Sequence, residues 1–269
     1  MTALRLSDRL HIIASMVTPG SILADVGCDH GYLPIWLVSR GIIPKAVALD
    51  VNRGPLQRAE EHIRSCGMES RIETRLSDGL AALQPGECST LVIAGMGGPL
   101  MERILEDGMD LLPGFKELIL QPQSDIPHFR GWLYDHGLAV LDERMVKEEG
   151  KFYTIIKACD IKAYGIKACG IGPSIQCDNR IIENNSEPDI RAGVPTDTEL
   201  YCGPVLLQKK DPVLFEYLLF RRRVCGEIID SLSASGSTAA AKRRREVEKE
   251  LDIIQKALQQ AGWIGGEYG

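Results

Sequence analysis

The sequence predicts an α/β fold with a mostly parallel sheet, followed by a helical hairpin at its C-terminal end. Strand and helix patterns alternate through residues 1–160, which is typical of parallel sheets whose crossover connections are helices. From Leu200 onward the apolar residues recur at helical spacing instead. Residues 161–199 are rich in Gly, Asn, Asp, Pro and Ser, which predicts a linker or an extended loop between two domains, 1–160 and 200–264.

Five strand–helix units and a β-hairpin account for the first domain. The predicted strands cover residues 22–25, 46–50, 71–76, 90–94 and 117–121. The predicted helices cover residues 32–39, 55–66, 79–83, 99–105 and 126–136. Two further strand patterns, 138–146 and 152–158, follow without an intervening helix and predict a hairpin turning at Glu149 and Gly150. A hairpin at this point predicts an antiparallel strand at or near one edge of the sheet.

Two helices joined by a Ser/Gly turn at residues 233–238 are predicted for the second domain. Asp211 is a suitable N-cap for the first helix, with Pro212 directly behind it. Apolar residues then fall near one face at Leu214, Leu218, Cys225, Ile228 and Leu232. In the second helix they alternate at spacings of four and three, at Val247, Leu251, Ile254, Leu258 and Ala261. This pattern predicts an antiparallel helical hairpin of the coiled-coil type.

The composition narrows the functional classes. The chain has 269 residues, of which 44% are hydrophobic and 25% charged, an ordinary globular balance. Its eight cysteines form no CxxC pair, and no histidine cluster has zinc-ligand spacing. No signal-peptide pattern and no apolar run of membrane-spanning length is present. We therefore expect a cytoplasmic protein with reduced thiols, without metal or membrane contact, and a monomer or weak homodimer.

The charge is unevenly distributed between the two domains. Residues 1–160 carry 16 Lys and Arg against 22 Asp and Glu, whereas residues 200–261 carry 11 against 8. A basic arm on an acidic body suggests a polyanionic partner, and a solvated helix face is the alternative interpretation. The candidate phosphate contacts form two clusters, namely Arg221, Arg222, Arg223, Lys242, Arg243, Arg244 and Arg245.

The predicted strand ends carry the residues of a cofactor site. Ligands of open α/β sheets bind at the carboxyl ends of the strands. The first loop, beginning at Asp25, lacks the GxGxxG spacing of dinucleotide sites, so a cofactor without a pyrophosphate fits better. Asp50 can accept hydrogen bonds from ribose hydroxyls, and Asp78 can meet the amine of an adenine ring. Together they suggest an adenosine with a charged tail, such as S-adenosylmethionine, although each alone could be a cap or turn former.

A loop with three glycines in four residues follows the fourth predicted strand. Such a loop is costly in backbone entropy, which indicates close approach by a ligand, although a tight turn is the alternative. The amides of Gln121 and Gln123 end the fifth strand and could face the same cleft. The predicted cofactor-binding residues are Asp25, Gly27, Cys28, Gly31, Asp50, Asn52, Asp78, Gly79, Ala94, Gly95, Met96 and Gly97.

Residues 24–34, which read Ala-Asp-Val-Gly-Cys-Asp-His-Gly-Tyr-Leu-Pro, resemble the first motif of the bacterial tRNA adenine-N1 methyltransferases that modify position 22. Five further segments are similar to that family's motifs: residues 50–56, 94–98, 120–123, 148–153 and 201–204, with Leu207 and Lys209. The resemblance covers most of the chain and departs from the family at 161–199. It implies a Rossmann-like class I methyltransferase sheet, S-adenosylmethionine as cofactor, and methyl transfer to N1 of an adenine in tRNA.

The resemblance also implies that the first loop faces the target adenine. Common methyltransferases have glycine where this chain has Asp29, and a carboxylate there would stabilise the cationic product ring. His30 could donate a hydrogen bond to the base or stack near it, and Tyr32 could close the pocket. The alternatives are a helix cap for Asp29, a structural hydrogen bond for His30 and simple packing for Tyr32.

Two other functions compete with this one. The first is a methyltransferase for a small molecule or a protein, whose arm would dock partners. The second is a non-catalytic nucleotide-binding module with a coiled-coil partner helix. A dehydrogenase is disfavoured because the dinucleotide fingerprint is absent.

Overall fold

A computed structural model describes residues 4–161, 194–233 and 237–264 of the chain. The chain divides into two compact units between Val194 and Pro195. Six described cysteines are free thiols, and Cys169 and Cys177 lie outside the described residues. No helix of the described ranges is both long and apolar enough to cross a bilayer.

In its described residues, the first unit is a seven-stranded sheet flanked by five α-helices. The strands are β1 (Ile22–Val26), β2 (Lys45–Asp50), β3 (Ile72–Leu76), β4 (Thr90–Met96), β5 (Glu117–Pro122), β6 (Leu138–Glu148) and β7 (Lys151–Asp160). The helices are α1 (Asp8–Met16), α2 (Tyr32–Ser39), α3 (Arg53–Ser65), α4 (Gly98–Asp107) and α5 (Ile126–Asp135). The strand order is β3-β2-β1-β4-β5-β7-β6. The first five strands are parallel, and β7 runs antiparallel between β5 and β6, which confirms the predicted sheet and hairpin.

The strand order positions the site. The sheet begins with β1 and grows to β2 and β3 on one side, then to β4 and β5 on the other. A crevice forms at such a reversal, outside the carboxyl ends of the strands. Successive residues of β1 supply opposite faces, because Leu23 packs in a core with α1, α2 and α3 while Ala24 packs in a core with α4 and α5. Both faces of β1 are therefore buried, and a ligand can reach it only at its end.

The helix α1 was not predicted from the sequence. Ser7 caps it, because its side chain accepts a hydrogen bond from the backbone N–H of Leu10 at 3.3 Å. Ile13 and Ala14 are buried in the first core. Apolar residues at 10, 13, 14 and 17 have helical spacing, so the signal was present in the sequence.

The predicted helix at residues 79–83 is wrong, and this segment forms turns. Gly79 has a φ of +57°, which is outside the right-handed helical region. The buried Ser77 hydroxyl donates to the carbonyl of Gly79 at 2.9 Å and accepts from the N–H of Ala82 at 3.0 Å. These local side-chain bonds replace the backbone bonds of a helix.

The second unit contains the helices α6 (Asp197–Cys202), α7 (Pro204–Lys209), α8 (Pro212–Ser233) and α9 (Thr238–Gln260). The last two pack against each other, and their predicted seam includes the buried residues Leu214, Leu218, Cys225, Val247, Ile254 and Leu258. Most of the predicted linker, residues 162–193, lies outside the described residues, as do 234–236 of the predicted turn. Residues 197–199 of that linker instead begin α6, whose cap is a reciprocal pair of bonds between Thr196 and Glu199.

Candidate functional site

Two acidic side chains are buried near the ends of β1 and β2. Asp25 on β1 is 5% exposed and Asp50, the last residue of β2, is 8% exposed. Burial, and secondly the charge of Asp50, raises the pKa of Asp25 to about 7. A buried carboxyl pair of this kind favours a ligand that brings positive charge or several hydrogen-bond donors.

The end of β2 presents three different groups. One carboxylate oxygen of Asp50 accepts a hydrogen bond from the backbone N–H of Asn52 at 2.8 Å. Val51 is 59% exposed, although it is an aliphatic residue next to a buried acid. The Asn52 side chain is exposed and does not cap α3. A carboxylate beside an apolar surface suits a ribose carrying a flat, apolar-faced base.

The third acidic residue lies on the surface at the end of β3. The Asp78 side chain is 68% exposed and its carboxylate is 3.2 Å from the guanidinium of Arg103. The preceding turn is fixed to β2, because the N–H of Ser77 donates to the carbonyl of Asp50 at 2.9 Å. Exposed ion pairs are weak, so Asp78 remains able to bind an amine donor of a ligand.

The loop after β1 requires glycine for two reasons. Gly27 has a φ of +75°, and a Cβ there would lie 2.3 Å from Cε of Met96. This clash shows that the loops after β1 and β4 touch. Gly31 also has a positive φ, +68°, and contacts Ala59 of α3. Cys28 lies between these two glycines in the chain. Burial, and secondly the charges of Asp25 and Asp50, raise the pKa of the Cys28 thiol. This cysteine is therefore a neutral packing group and not a nucleophile.

The loop after β4 is packed closely against the segment that follows β5. A Cβ on Gly98 would lie 2.8 Å from the carbonyl oxygen of Ser124, and the N–H of Gly98 donates to that oxygen at 3.2 Å. A Cβ added to Gly97 would lie 3.0 Å from the Ser124 hydroxyl. Gly95 is exposed, with a φ of +81°, and Ala94 and Met96 beside it are half-buried. The loop therefore presents backbone, not side chains, to an approaching ligand.

An arginine that the sequence did not reveal stabilises this loop. The guanidinium of Arg9, on α1, donates to Oε1 of Gln121 at 2.6 Å. The same oxygen accepts from the N–H of Gly95 at 3.1 Å. The Arg9 guanidinium carbon also lies 5.3 Å from the ring centroid of Tyr153 on β7. Because α1 was not predicted, no pattern in the sequence linked Arg9 to the site.

The three residues predicted to face the target base are close together. The Asp29 side chain is 70% exposed, and its carboxylate is 3.5 Å from Nε2 of His30 and 3.7 Å from the guanidinium of Arg58. The His30 and Tyr32 rings are stacked, with centroids 5.3 Å apart. Tyr32 also packs against the core. Asp29 does not cap α2, because the residue before that helix is Gly31, so the alternative role as a cap does not apply.

The basic residues of the second unit fall into two groups. Four of the predicted contacts are in ion pairs: Arg221 with Glu250, Arg223 with Glu227, Arg243 with Glu246 and Arg244 with Glu248. The remaining three, Arg222, Lys242 and Arg245, are exposed and have no partner in the described part of the chain. On α9, Lys249 lies four residues beyond Arg245, is also exposed and extends the same face. Thus three of the predicted residues can contact a polyanion without giving up an ion pair within the described part of the chain.

The fold and the site together define a class of protein. A seven-stranded sheet in this order, with an acidic residue at the end of β2 and glycine loops after β1 and β4, is the architecture of class I methyltransferases. A family model described as a methyltransferase domain matches residues 6–156.

Known proteins resemble the chain over nearly its whole length. The tRNA (adenine(22)-N(1))-methyltransferase of Bacillus subtilis is 29% identical over 259 residues, which cover 96% of this chain and 99% of that protein. The crystal structure of a putative tRNA (m1A22) methyltransferase from Streptococcus pneumoniae has a TM-score of 0.75 and 31% identity, covering 95% of this chain and 100% of that one. A structure of the same protein in complex with S-adenosyl-L-methionine has a TM-score of 0.72. The chain therefore belongs to the class I methyltransferase family that includes these two proteins.

Proposed function

We propose that this protein transfers the methyl group of S-adenosylmethionine to N1 of an adenine in tRNA, at position 22. The observation that carries the proposal is the full-length similarity to the Bacillus subtilis enzyme, which extends through the second unit to 99% of that protein. The reaction would take place in the cytoplasm, with the protein a monomer or weak homodimer.

The residues at the strand ends fit S-adenosylmethionine. The Asp50 carboxylate would accept the ribose hydroxyls with Asn52 beside it, and Val51 would lie against the adenine ring. The remaining groups would hold the ring amine and the charged tail, namely Asp25, Gly27, Cys28, Gly31, Asp78, Gly79, Ala94, Gly95, Met96 and Gly97. When bound, the cofactor supplies an electrophilic methyl group on a sulfonium.

The chain's own contribution to the reaction is mainly positioning. N1 of adenine is largely unprotonated at neutral pH, so a strong general base is unnecessary and alignment can supply much of the rate. N1 lies on the Watson–Crick edge, so a paired adenine must first leave its stem. The stacked rings of His30 and Tyr32 offer a surface for the extruded base. The exposed carboxylate of Asp29 would stabilise the positive charge that develops on the ring.

The decisive experiment is single-turnover transfer from labelled S-adenosylmethionine to unmodified bacterial tRNA, followed by nucleoside analysis. We expect labelled 1-methyladenosine, and none when adenine 22 of the tRNA is replaced by guanine. If the label appears in 1-methyladenosine at another position of the tRNA, the proposed reaction is correct and the proposed target adenine is wrong. If no nucleoside is labelled while calorimetry still detects cofactor binding, the tRNA assignment fails and small molecules or proteins become the substrates to test.

We further propose that the unpaired basic residues of the second unit contact tRNA phosphates. Changing Arg222, Lys242 and Arg245 together to glutamine should weaken tRNA binding. It should also lower the salt dependence, the slope of log K against log salt, by about 2 to 3, since each lost phosphate contact removes roughly 0.7 to 0.9. Filter binding at several salt concentrations measures both quantities.

The matched control changes Arg223, Arg243 and Arg244, each of which lies in an ion pair with a neighbouring glutamate. This variant removes the same number of charges from the same helices, so an effect of net charge alone would be equal in both. We expect a slope change below about 1 in the control. Equal changes in the two variants would contradict the assignment of separate roles.

A further inference from the structure

We propose that His62 of α3 is a positioning residue, which holds His30 in the conformation that the first loop needs. The kinetic part of this inference rests on the proposed function, whereas the structural part does not. His62 lies 32 residues from His30 and outside every motif that the sequence indicated. Its role follows from the backbone at His30, the tautomer of His62 and the packing of three rings.

The backbone at His30 is the feature that needs support. Its φ is +57° and its ψ is −4°, a left-handed conformation that residues with a Cβ rarely adopt. Such a conformation persists only where the surrounding structure imposes it. The flanking Gly27 and Gly31 also have positive φ angles, but glycine adopts them without strain. His30 is thus the strained residue of this loop.

A hydrogen bond from α3 reaches that residue's own backbone. Nδ1 of His62 is 3.0 Å from the carbonyl oxygen of His30. A carbonyl oxygen only accepts, so Nδ1 must carry the proton and donate it. This bond fixes the tautomer of His62 and restrains the peptide plane that follows the strained φ.

Ring contacts reinforce the hydrogen bond. The His62 centroid lies 5.4 Å from that of His30 and 5.4 Å from that of Tyr32, with interplanar angles of 25° and 22°. The platform for these contacts is rigid, because Ala59 and Ile63 on the same helix are fully or almost fully buried. Ala59 also contacts Gly31, where a Cβ would lie 3.4 Å from its own. α3 therefore supports the loop at both His30 and Gly31.

The His30 side chain depends on these neighbours for its orientation. Its Nδ1 is buried and finds no hydrogen-bond partner within the described residues, and Nε2 is only loosely paired with Asp29 at 3.5 Å. No strong bond of its own fixes the ring, so the contacts with His62 and Tyr32 orient His30. Losing them should misplace the substrate-facing groups while leaving the strand-end acids unchanged.

Two substitutions separate the hydrogen bond from the ring. His62→Asn can place an amide N–H near the former Nδ1 and keeps the donor, whereas His62→Phe keeps a ring and removes the donor. The matched control is His136→Phe at the end of α5, because Nδ1 of His136 also bonds a backbone carbonyl, that of Trp132, at 2.8 Å. All variants are made in the full chain.

Methyl transfer to tRNA tests the positioning role. We expect His62→Phe to lower kcat by about 10- to 100-fold, the range for a misplaced group, with KM for S-adenosylmethionine unchanged within about twofold. His62→Asn should recover most of the lost rate, and His136→Phe should retain the wild-type rate. Equal losses in the Asn and Phe variants, or a loss carried by KM for the cofactor, would overturn the proposal.

A second measurement does not need activity. We expect His62→Phe to lower the melting temperature by about 2–4 °C and His62→Asn to lower it less, because only the phenylalanine removes the donor to the His30 carbonyl. Nitrogen NMR of His62 should show a protonated Nδ1. Equal melting temperatures for His62→Asn and His62→Phe, or a proton on Nε2 in place of Nδ1, would refute the proposal. If the wild-type protein methylates no tRNA, the proposed function fails, and these two readouts still decide the role of His62.

Discussion

Asp50→Asn should reduce the affinity for S-adenosylmethionine by about 100-fold, since hydrogen bonds to a charged group contribute roughly 1.5–3 kcal/mol each. One carboxylate oxygen of Asp50 already accepts the N–H of Asn52, so the other is available for the ribose. An asparagine would keep one acceptor and turn an N–H₂ group towards hydroxyls or towards the N–H of Asn52. Isothermal titration calorimetry with the cofactor measures the change directly.

The control for Asp50→Asn is Asp135→Asn, which removes a carboxylate exposed at the end of α5. We expect the control to bind the cofactor as the wild-type protein does. Melting temperatures of both variants separate a binding defect from unfolding. If Asp50→Asn folds normally and binds the cofactor with wild-type affinity, the ribose contact is assigned to the wrong residue.

Asp25→Asn should stabilise the protein at pH 8 but not at pH 4. Folding raises the pKa of Asp25 from 3.8 to about 7, so the ionised carboxylate opposes folding. This cost is absent below about pH 4, where both states are protonated, and complete above pH 7. It corresponds to at most about 4 kcal/mol for a shift of about three pH units. Urea unfolding of both proteins between pH 4 and pH 8 gives the difference in free energy.

The shape of that difference is as informative as its size. We expect the stability gained by Asp25→Asn to grow steadily from pH 4 to pH 7 and then stay constant. Asp135→Asn, at an exposed carboxylate, should give no such growth. A difference that is the same at every pH would mean that Asp25 ionises in the folded protein as easily as in the unfolded chain.

The sequence was sufficient to predict the order of the seven strands, although it missed the helix α1. It was also sufficient to predict that acidic residues lie at the strand ends on one edge of the sheet, since parallel strands bring their carboxyl ends together there. The prediction of a helix at residues 79–83 was wrong for a local reason. Leu80 and Leu83 have helical spacing and are buried, but the Ser77 hydroxyl satisfies the backbone in turns instead.

Side-chain convergence between distant elements could not be predicted in the same way. Arg9 meets Gln121 across 112 residues and His62 meets His30 across 32, and no sequence period reports such meetings. For the same reason, the sequence could not predict which basic residues of the second unit are in ion pairs and which are not. Arg221 and Arg222 are neighbours in the chain, yet Arg221 pairs with Glu250 of α9 and Arg222 is free among the described residues. Only the packing of two helices separates their roles.

The position of β6 at one edge of the sheet has a consequence for how the protein behaves at high concentration. An unpaired edge strand is a template on which a second chain can add, the first step of aggregation. This edge is eleven residues long, but its register shifts between Val140 and Asp142, and such an irregularity bends a strand. Charged residues that are at least partly exposed then follow along the strand, at Asp142, Arg144, Lys147 and Glu148. Intermolecular strand addition would bring these charges against those of a second copy, so the same hairpin that completes the fold also keeps copies of the sheet apart.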